Sequence, residues 1–407
     1  MVERWLSIVG IGEDGRAGLS ASAIALIDNA ELVIGGKRHL ELFGASRGEQ
    51  RVWAQPLDAT IPGIVERRGR PVAILASGDP FWFGVGVTLA RHIPICEMLV
   101  IPSPSSFSLA AARMGWALQE VTALGLNMRG QTPLIRRHLT RGRKILALSL
   151  NSETPREVAA LLTETGFGES RLTVLEALGG PREKIRHETA AQFNLQDIDP
   201  LNVLAVDVVA TPAARTIPLA PGLPDEMFEN DGQLTKREVR AMTISALAPE
   251  PGQCLWDIGL GSGSVAIEWL LAHPENKAIG IERDAARAAR AMRNAAVLGV
   301  PHLDVRQGAA PEAIQGLPEP DAIFIGGGAQ DHETLNRCWA ALKPGGRLVV
   351  NAVTLETEAT LLSAHATFGG SLTRIGIERS DSVGTRTAWR PAMTVMQWVV
   401  QKPGGSA

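Results

Sequence analysis

The sequence predicts an α/β protein made of two successive halves. Three observations carry this reading. Short apolar runs alternate with helix-like segments along the whole chain, the pattern of strand–helix units. Each half opens on an apolar run that ends in a glycine turn, Gly10-Ile11-Gly12 in the first and Gly259-Leu260-Gly261-Ser262-Gly263 in the second. Between the halves, Pro212, Pro218, Pro221 and Pro224 punctuate residues 211–224, and such a stretch reads as an extended linker. The expected organisation is a first domain over 1–210, the linker, and a second domain over 225–407. The length of 407 residues allows two or three domains at roughly 150 residues each.

Taken in order, residues 5–11 form an apolar strand running into the first glycine turn. Ser20 is placed to cap the helix that follows. ELVIGG is the next strand. Residues 72–76 form another, broken at Ser77-Gly78-Asp79-Pro80. MLVIP, the turn SPSS and the helix FSLAAARMGW come next. Strand KILALSL, a helix over 154–165 and strands RLTVLEAL and NVLAVDVV complete the half. The second half starts with helix LTKREVRAMTISAL and strand QCLWDIG, then turn LGSGS and helix VAIEWLLAH. Further strands fall at KAIGIER, LDVRQG, DAIFIG and RLVVNAV, separated by helices DAARAARAMRNAAVLG and HETLNRCWAAL. A helix over 355–368 and two strands over 372–379 and 393–400, expected as a terminal hairpin, end the chain.

Composition excludes several classes. Apolar residues make up 45% and charged residues 20%, ordinary globular usage that rules out a disordered chain. Forty basic against forty-three acidic residues give a net charge of −3, so the chain is not built around a nucleic-acid footprint. No apolar run approaches the ~18 residues of a membrane helix. The start shows no signal-peptide core. The three cysteines, Cys96, Cys254 and Cys338, form no paired motif, which suits a reducing cytoplasm. The eight histidines show no metal-ligand spacing, and tyrosine is absent.

The strongest chemical signal is the second turn. Asp257 ends the strand before it, and Glu282 ends the next strand about twenty residues on. Glycines let the backbone approach a ligand closely. A carboxylate at position 282 can accept both ribose hydroxyls of a nucleoside. A dinucleotide fingerprint wants glycine at position 264, where Ser264 stands. Asp257 suits a ligand carrying an ammonium group, as S-adenosylmethionine (SAM) does. A nicotinamide-dependent oxidoreductase is the alternative reading of this loop.

QLTKREVRAM, LWDIGLGSGSVAIEW, IGIERD, QGAAPEAI, PDAIFIGGG and LKPGGRLVVNAVTLE together resemble the decarboxylating precorrin methyltransferase domain of cobalamin biosynthesis, a Rossmann-like class I methyltransferase fold. By that resemblance, SAM contacts fall on Thr235, Gly259, Leu260, Gly261, Ser262, Gly263, Glu282 and Ala310, beside the Asp257 already read as a SAM contact from its position. In the first half, LASGDPFWFGVG, IPSPSSFSLAAARMGW, VIGGKRHLELF and LEALGGPREKI resemble the two-subdomain tetrapyrrole methylase fold, in its carbon-5 branch. There the resemblance places SAM against Gly10, Gly12, Ser77, Gly78, Asp79, Trp82, Ser105 and Ser106. Many members carry Pro-Gly after the first Gly-x-Gly, where this chain has Glu13 and Asp14.

The joint resemblance implies a bifunctional SAM-dependent enzyme with one SAM site per domain. It would methylate a precorrin macrocycle at carbons 5 and 15 and remove the ring-C acetate carboxyl as CO2, taking precorrin-6B to precorrin-8. The equivalent cobalt-containing intermediates are the alternative substrate. A homo-oligomer is expected by resemblance alone. The substrate's carboxylates call for basic partners. Lys236 and Arg240, at i and i+4 on a predicted helix, are the substrate-binding candidates. A second basic run over 129–144 reads as a solvated helix and loop or as a macrocycle contact. Trp82, beside the Gly-Asp-Pro turn, is a candidate stacker. No residue is assigned as a proton carrier, and no protein-bound metal is expected.

Overall fold

A computed structural model describes residues 4–404. Residues 1–3 and 405–407, the outer ends of the two expected domains, lie outside the described residues. The chain divides into two compact units. The first holds the residues up to Thr132 and His138–Arg215; the second holds Pro133–Arg137 and the residues from Thr216 onward.

The first unit contains two five-stranded sheets. Strands β1 (Leu6–Ile11), β2 (Leu32–Gly35), β3 (Glu49–Val52), β4 (Val72–Ser77) and β5 (Met98–Ile101) form an all-parallel sheet in the order β3-β2-β4-β1-β5. Every residue of β1 and β2 is buried, as parallel strands covered on both faces require. The loops after β4, β1 and β5 leave the carboxyl ends of three adjacent strands, where ligands of such sheets bind. Strands β6 (Val121–Leu126), β7 (Lys144–Ser149), β8 (Arg171–Glu176), β9 (Lys184–Thr189) and β10 (Asn202–Asp207) form the second sheet, in the order β6-β7-β10-β8-β9. It is antiparallel apart from the β6–β7 pair.

The second unit is built on one seven-stranded sheet. Strands β11 (Cys254–Ile258), β12 (Lys277–Glu282), β13 (Asp304–Gln307), β14 (Ala322–Ile325), β15 (Arg347–Ala352), β16 (Ser371–Ile375), β17 (Glu378–Val383), β18 (Arg386–Pro391) and β19 (Val395–Gln401) follow in sequence. The sheet order is β13-β12-β11-β14-β15-β19-β16, parallel until the antiparallel β19 and β16 edge. Chain direction across the sheet reverses between β11 and β14, the switch point at which doubly wound sheets open a crevice. Asp257 and the second glycine turn sit at the end of β11.

Two expectations need correction. The terminal strands do pair, β16 with β19, but not as a hairpin. A separate two-stranded sheet, β17–β18, is inserted between them. Nearly all of its residues are exposed, so no apolar alternation announced it. The proline-rich stretch is also not a free linker. Thr211 donates to the Gly166 carbonyl through its N–H (3.2 Å) and its hydroxyl (2.8 Å), and Arg215 N–H donates to Thr165 (3.1 Å), which fixes this part to the first unit. Ile217 and Leu223 are buried in the core of the second unit with Phe228. The apolar residues between the prolines, not the prolines, decide where this chain lies.

Candidate functional site

In the first unit a cleft of about 440 Å³ opens at the carboxyl ends of β1 and β4. Gly12, Ser77, Gly78, Trp82, Ser105 and Ser106 line it from the first sheet, facing Ser149 and Asn202 of the second. Ser105 Oγ accepts the Ser108 N–H (3.1 Å), capping the helix Ser106–Met114 whose amino end meets the cleft. Trp82 and Phe83 are exposed and stack edge-on, 6.0 Å apart, with Phe107 5.7 Å from Phe83. They form an aromatic wall.

Two predicted contacts of this cleft act from behind it. A Cβ on Gly10 would stand 1.8 Å from the Gly78 carbonyl oxygen and 2.6 Å from Ser103 N. Gly10 is therefore needed so that the loops after β1, β4 and β5 can knit together. Ser103 N–H donates to Gly78 O (3.1 Å) and Ser103 Oγ to Gly10 O (2.7 Å). Asp79 does not line the cleft; its carboxylate accepts the Phe81 N–H (2.9 Å) and holds the turn.

The cleft also contains a polar cluster that the sequence reading passed over. Arg38 pairs with Glu13, which also accepts from Arg182 (3.2 Å). Arg38 and His39 converge on Ser77 Oγ, at 3.2 and 2.8 Å. Burial, joined by the Arg38 charge, lowers the His39 pKa to about 4. The signal for Glu13 was its departure from Pro-Gly; the structure shows it clamped by two arginines, its side chain 8% exposed.

In the second unit Gly259, Gly261 and Gly263 have φ of +77°, +57° and +80°, the left-handed region that other residues resist. Leu260 packs its side chain over Gly280. The buried Ser262 offers its carbonyl to Asn294 Nδ2 (2.9 Å). Glu282 is buried at the end of β12, where one carboxylate oxygen accepts the Gly261 N–H (2.8 Å) and the other that of Asp284 (3.0 Å). Asp257 Oδ2 accepts the Ala266 N–H (3.1 Å), while its Oδ1 is buried without a partner. Burial raises its pKa to about 8, against the Ala266 hydrogen bond and with help from the Glu282 charge. Ala310 is half-buried in the loop after β13.

Arg240 corrects the sequence reading. It is fully buried, so it cannot clamp a substrate carboxylate. Its Nε donates to Glu268 (2.5 Å) and its Nη1 to Asp225 (3.1 Å), and its plane covers the Phe228 ring at 4.7 Å. It also donates to the carbonyls of Thr235 and Leu223. Arg240 thus fixes the segment that presents the half-buried Thr235. Lys236 is not on its helix face: it is the amino-terminal cap of Arg237–Leu247, with extended backbone, exposed and 4.0 Å from Asp225.

Both places fit SAM by their own chemistry. In the second unit the orphaned Asp257 oxygen faces the demand of a donor, and a Cβ on Gly261 would meet nothing closer than 3.8 Å. In the first, Ser149 Oγ and Asn202 Oδ1, both lining the cleft, are buried without partners. Buried polar groups of this kind call for a ligand or water. Among the described residues no group of three or more His, Cys, Asp or Glu could hold a metal. No described helix is long and apolar enough to cross a membrane.

Comparison with known proteins matches two parts of the chain to two families. Residues 6–194 match the family of tetrapyrrole (corrin/porphyrin) methylases, and residues 226–402 match the precorrin methyltransferase domain. A Sinorhizobium protein, precorrin-6Y C(5,15)-methyltransferase [decarboxylating], is 54% identical over 98% of this chain and 96% of its own. The cobalt-precorrin-7 C(5)-methyltransferase of Salmonella typhimurium is 31% identical over 44% of this chain and 88% of its own. A probable cobalt-precorrin-6B C(15)-methyltransferase (decarboxylating) of Saccharolobus solfataricus is 36% identical over 37% of this chain and 78% of its own.

Proposed function

Because the chain belongs to the decarboxylating precorrin-6Y C(5,15)-methyltransferases, we propose that its two sites divide the work, the first cleft methylating carbon 5 and the second unit methylating carbon 15 with loss of CO2. The protein is a SAM-dependent methyltransferase that carries out the methylation and decarboxylation step on a precorrin in cobalamin biosynthesis. Family membership leaves no room for the nicotinamide reading. SAM, when bound, supplies an electrophilic methyl group on a sulfonium.

The observation that carries the two-site reading is the presence of two separate glycine-turn sites, one per unit, each with buried polar atoms lacking partners. In the first, Gly12, Gly78 and Ser106 would hold the donor, with the Trp82–Phe83 wall offering a face to the macrocycle. In the second, Glu282 would take the ribose, Thr235 and Ala310 would close around the nucleoside, and Asp257 would back the turn from the core. The work of both sites is alignment and exclusion of water. Decarboxylation leaves an electron pair that the conjugated macrocycle can absorb, so it needs no separate electron-sink cofactor; a proton then takes the place of the lost carboxyl on the acetate carbon. Lys236, exposed beside Thr235, remains the candidate for a substrate carboxylate.

Calorimetric titration of SAM tests the reading. The full chain should bind two equivalents and Gly261→Val one, with carbon-5 methylation kept and carbon-15 methylation lost. A wild-type stoichiometry of one, or loss of both methylations in the folded variant, would reject it.

A further inference from the structure

Methyl transfer to a bridging carbon leaves that carbon with both the new methyl and its original hydrogen. Conjugation returns only when the hydrogen departs as a proton. A carbon-5 site therefore needs a proton acceptor, and one cluster in the first cleft has the form of one.

His39 lies on the helix Lys37–Phe43 with Nε2 2.8 Å from Ser77 Oγ. Arg38 Nη2 is 3.1 Å from the same Nε2 and 3.2 Å from the same Oγ. A guanidinium only donates. Its contact makes Nε2 an acceptor and places the ring proton on Nδ1. Ser77 accepts from Arg38, and its own O–H shares the single Nε2 lone pair with the Arg38 N–H, from the shorter distance. The polarity runs from Arg38 to Ser77 to His39. Glu13, itself held by Arg182, fixes Arg38 from the far side. Ser77 is exposed to the cleft, while the ring sits half-buried in its wall.

We propose that the Ser77–His39 pair takes up the carbon-5 proton after methyl transfer in the first cleft. The inference rests on the reading of that cleft as the carbon-5 site. The new bond joins the donor methyl to carbon 5. The carbon–sulfur bond breaks with its electron pair on sulfur, giving neutral S-adenosylhomocysteine and a cationic macrocycle. The C5–H bond then breaks and returns its pair to the ring. The proton passes to Ser77 Oγ as the serine's own proton passes to His39 Nε2. The charge next to it, on Arg38, makes the resulting imidazolium a ready acid that returns its proton to water.

The test is a single turnover of the full chain with SAM and a precorrin free at carbon 5. S-adenosylhomocysteine and the macrocycle's absorbance are followed separately. In His39→Gln the sulfide should form at close to the wild-type rate while the conjugated chromophore appears about a hundredfold more slowly. Deuterium at carbon 5 should slow that second phase further. Ser77→Ala, a smaller change, should show the same uncoupling, and SAM affinity should hold in His39→Gln. Parallel slowing of both signals, or no change in either, would overturn the proposal. Loss of the carbon-15 methyl in place of the carbon-5 methyl would instead show that the site assignment had failed.

Discussion

The two glycine turns look alike in sequence and are glycine for different reasons. In the second turn the backbone itself demands it, since all three residues have positive φ and the space above Gly261 is open. In the first turn the demand comes from neighbours. Gly10 lies in regular strand, and a methyl there would overlap the Gly78 carbonyl. One turn leaves open space above its backbone; the other is shaped so that three loops can meet, and the cleft wall is built by what they carry. The same Gly-x-Gly pattern thus answers two different physical demands, and in the first turn Gly12 lines the cleft while Gly10 stands behind it.

The largest expected effect probes how locally each site is supported. Arg240→Ala leaves Glu268 buried without its counter-charge, a loss of about 3–5 kcal/mol. Hydrogen exchange followed by mass spectrometry should show the loss in the second unit alone. Protection lost equally in both units would mean the two sites share their support.

A pair of alanines tests the contrast between the turns. Gly10→Ala should cost about 3 kcal/mol, at the upper end for overpacking, because the atoms it meets are backbone. Gly261→Ala should cost only the left-handed dihedral, about 1–2 kcal/mol. Its main consequence should be weaker SAM binding at the second site. Equal losses in melting experiments would break the distinction.

A further contrast between the units is a difference of sign with pH. His39 has a folded pKa near 4 against 6.5 unfolded. Its contribution to stability is present above 6.5 and lost as pH falls toward 4. Asp257 has a folded pKa near 8 against 3.8 unfolded. Its contribution is present below about 4 and lost as pH rises through 8. Acidification from 6.5 to 4 should thus weaken the first unit and strengthen the second through these groups. His39→Gln should flatten the first trend and Asp257→Asn the second, as read by the difference in exchange protection from wild type. A trend unchanged in its own variant would remove that group as the cause.

Much of this was legible in the chain. The apolar runs of β1, β4, β11 and β14 are unbroken because both faces are covered, and their ends fixed both turns and Glu282. The edge strands β3 and β9 and the β17–β18 hairpin were not legible, since exposed strands carry no apolar pattern. The fate of charged residues was least legible. Glu13 finds its arginines 25 and 169 positions away, and Arg240 meets Glu268 at 28. Helical spacing put Lys236 and Arg240 on one face, but the helix begins after Lys236. The clue to Arg240 was a partner that only the fold supplies.

Ile217 and Leu223, buried in the second core, set a limit on gene architecture. Gly222 and Leu223 donate their N–H groups to Glu268 at 2.7 and 2.8 Å, and that carboxylate is the partner of Arg240. A split of the reading frame at the end of the proline-rich stretch would take two core side chains and two donors from the second protein. A split between Arg215 and Ile217 would keep those side chains and donors with the second product, but would still part Pro133–Arg137 from the unit they belong to. Fission of the chain costs the second core least at that narrow seam, and even there it needs a replacement for Pro133–Arg137.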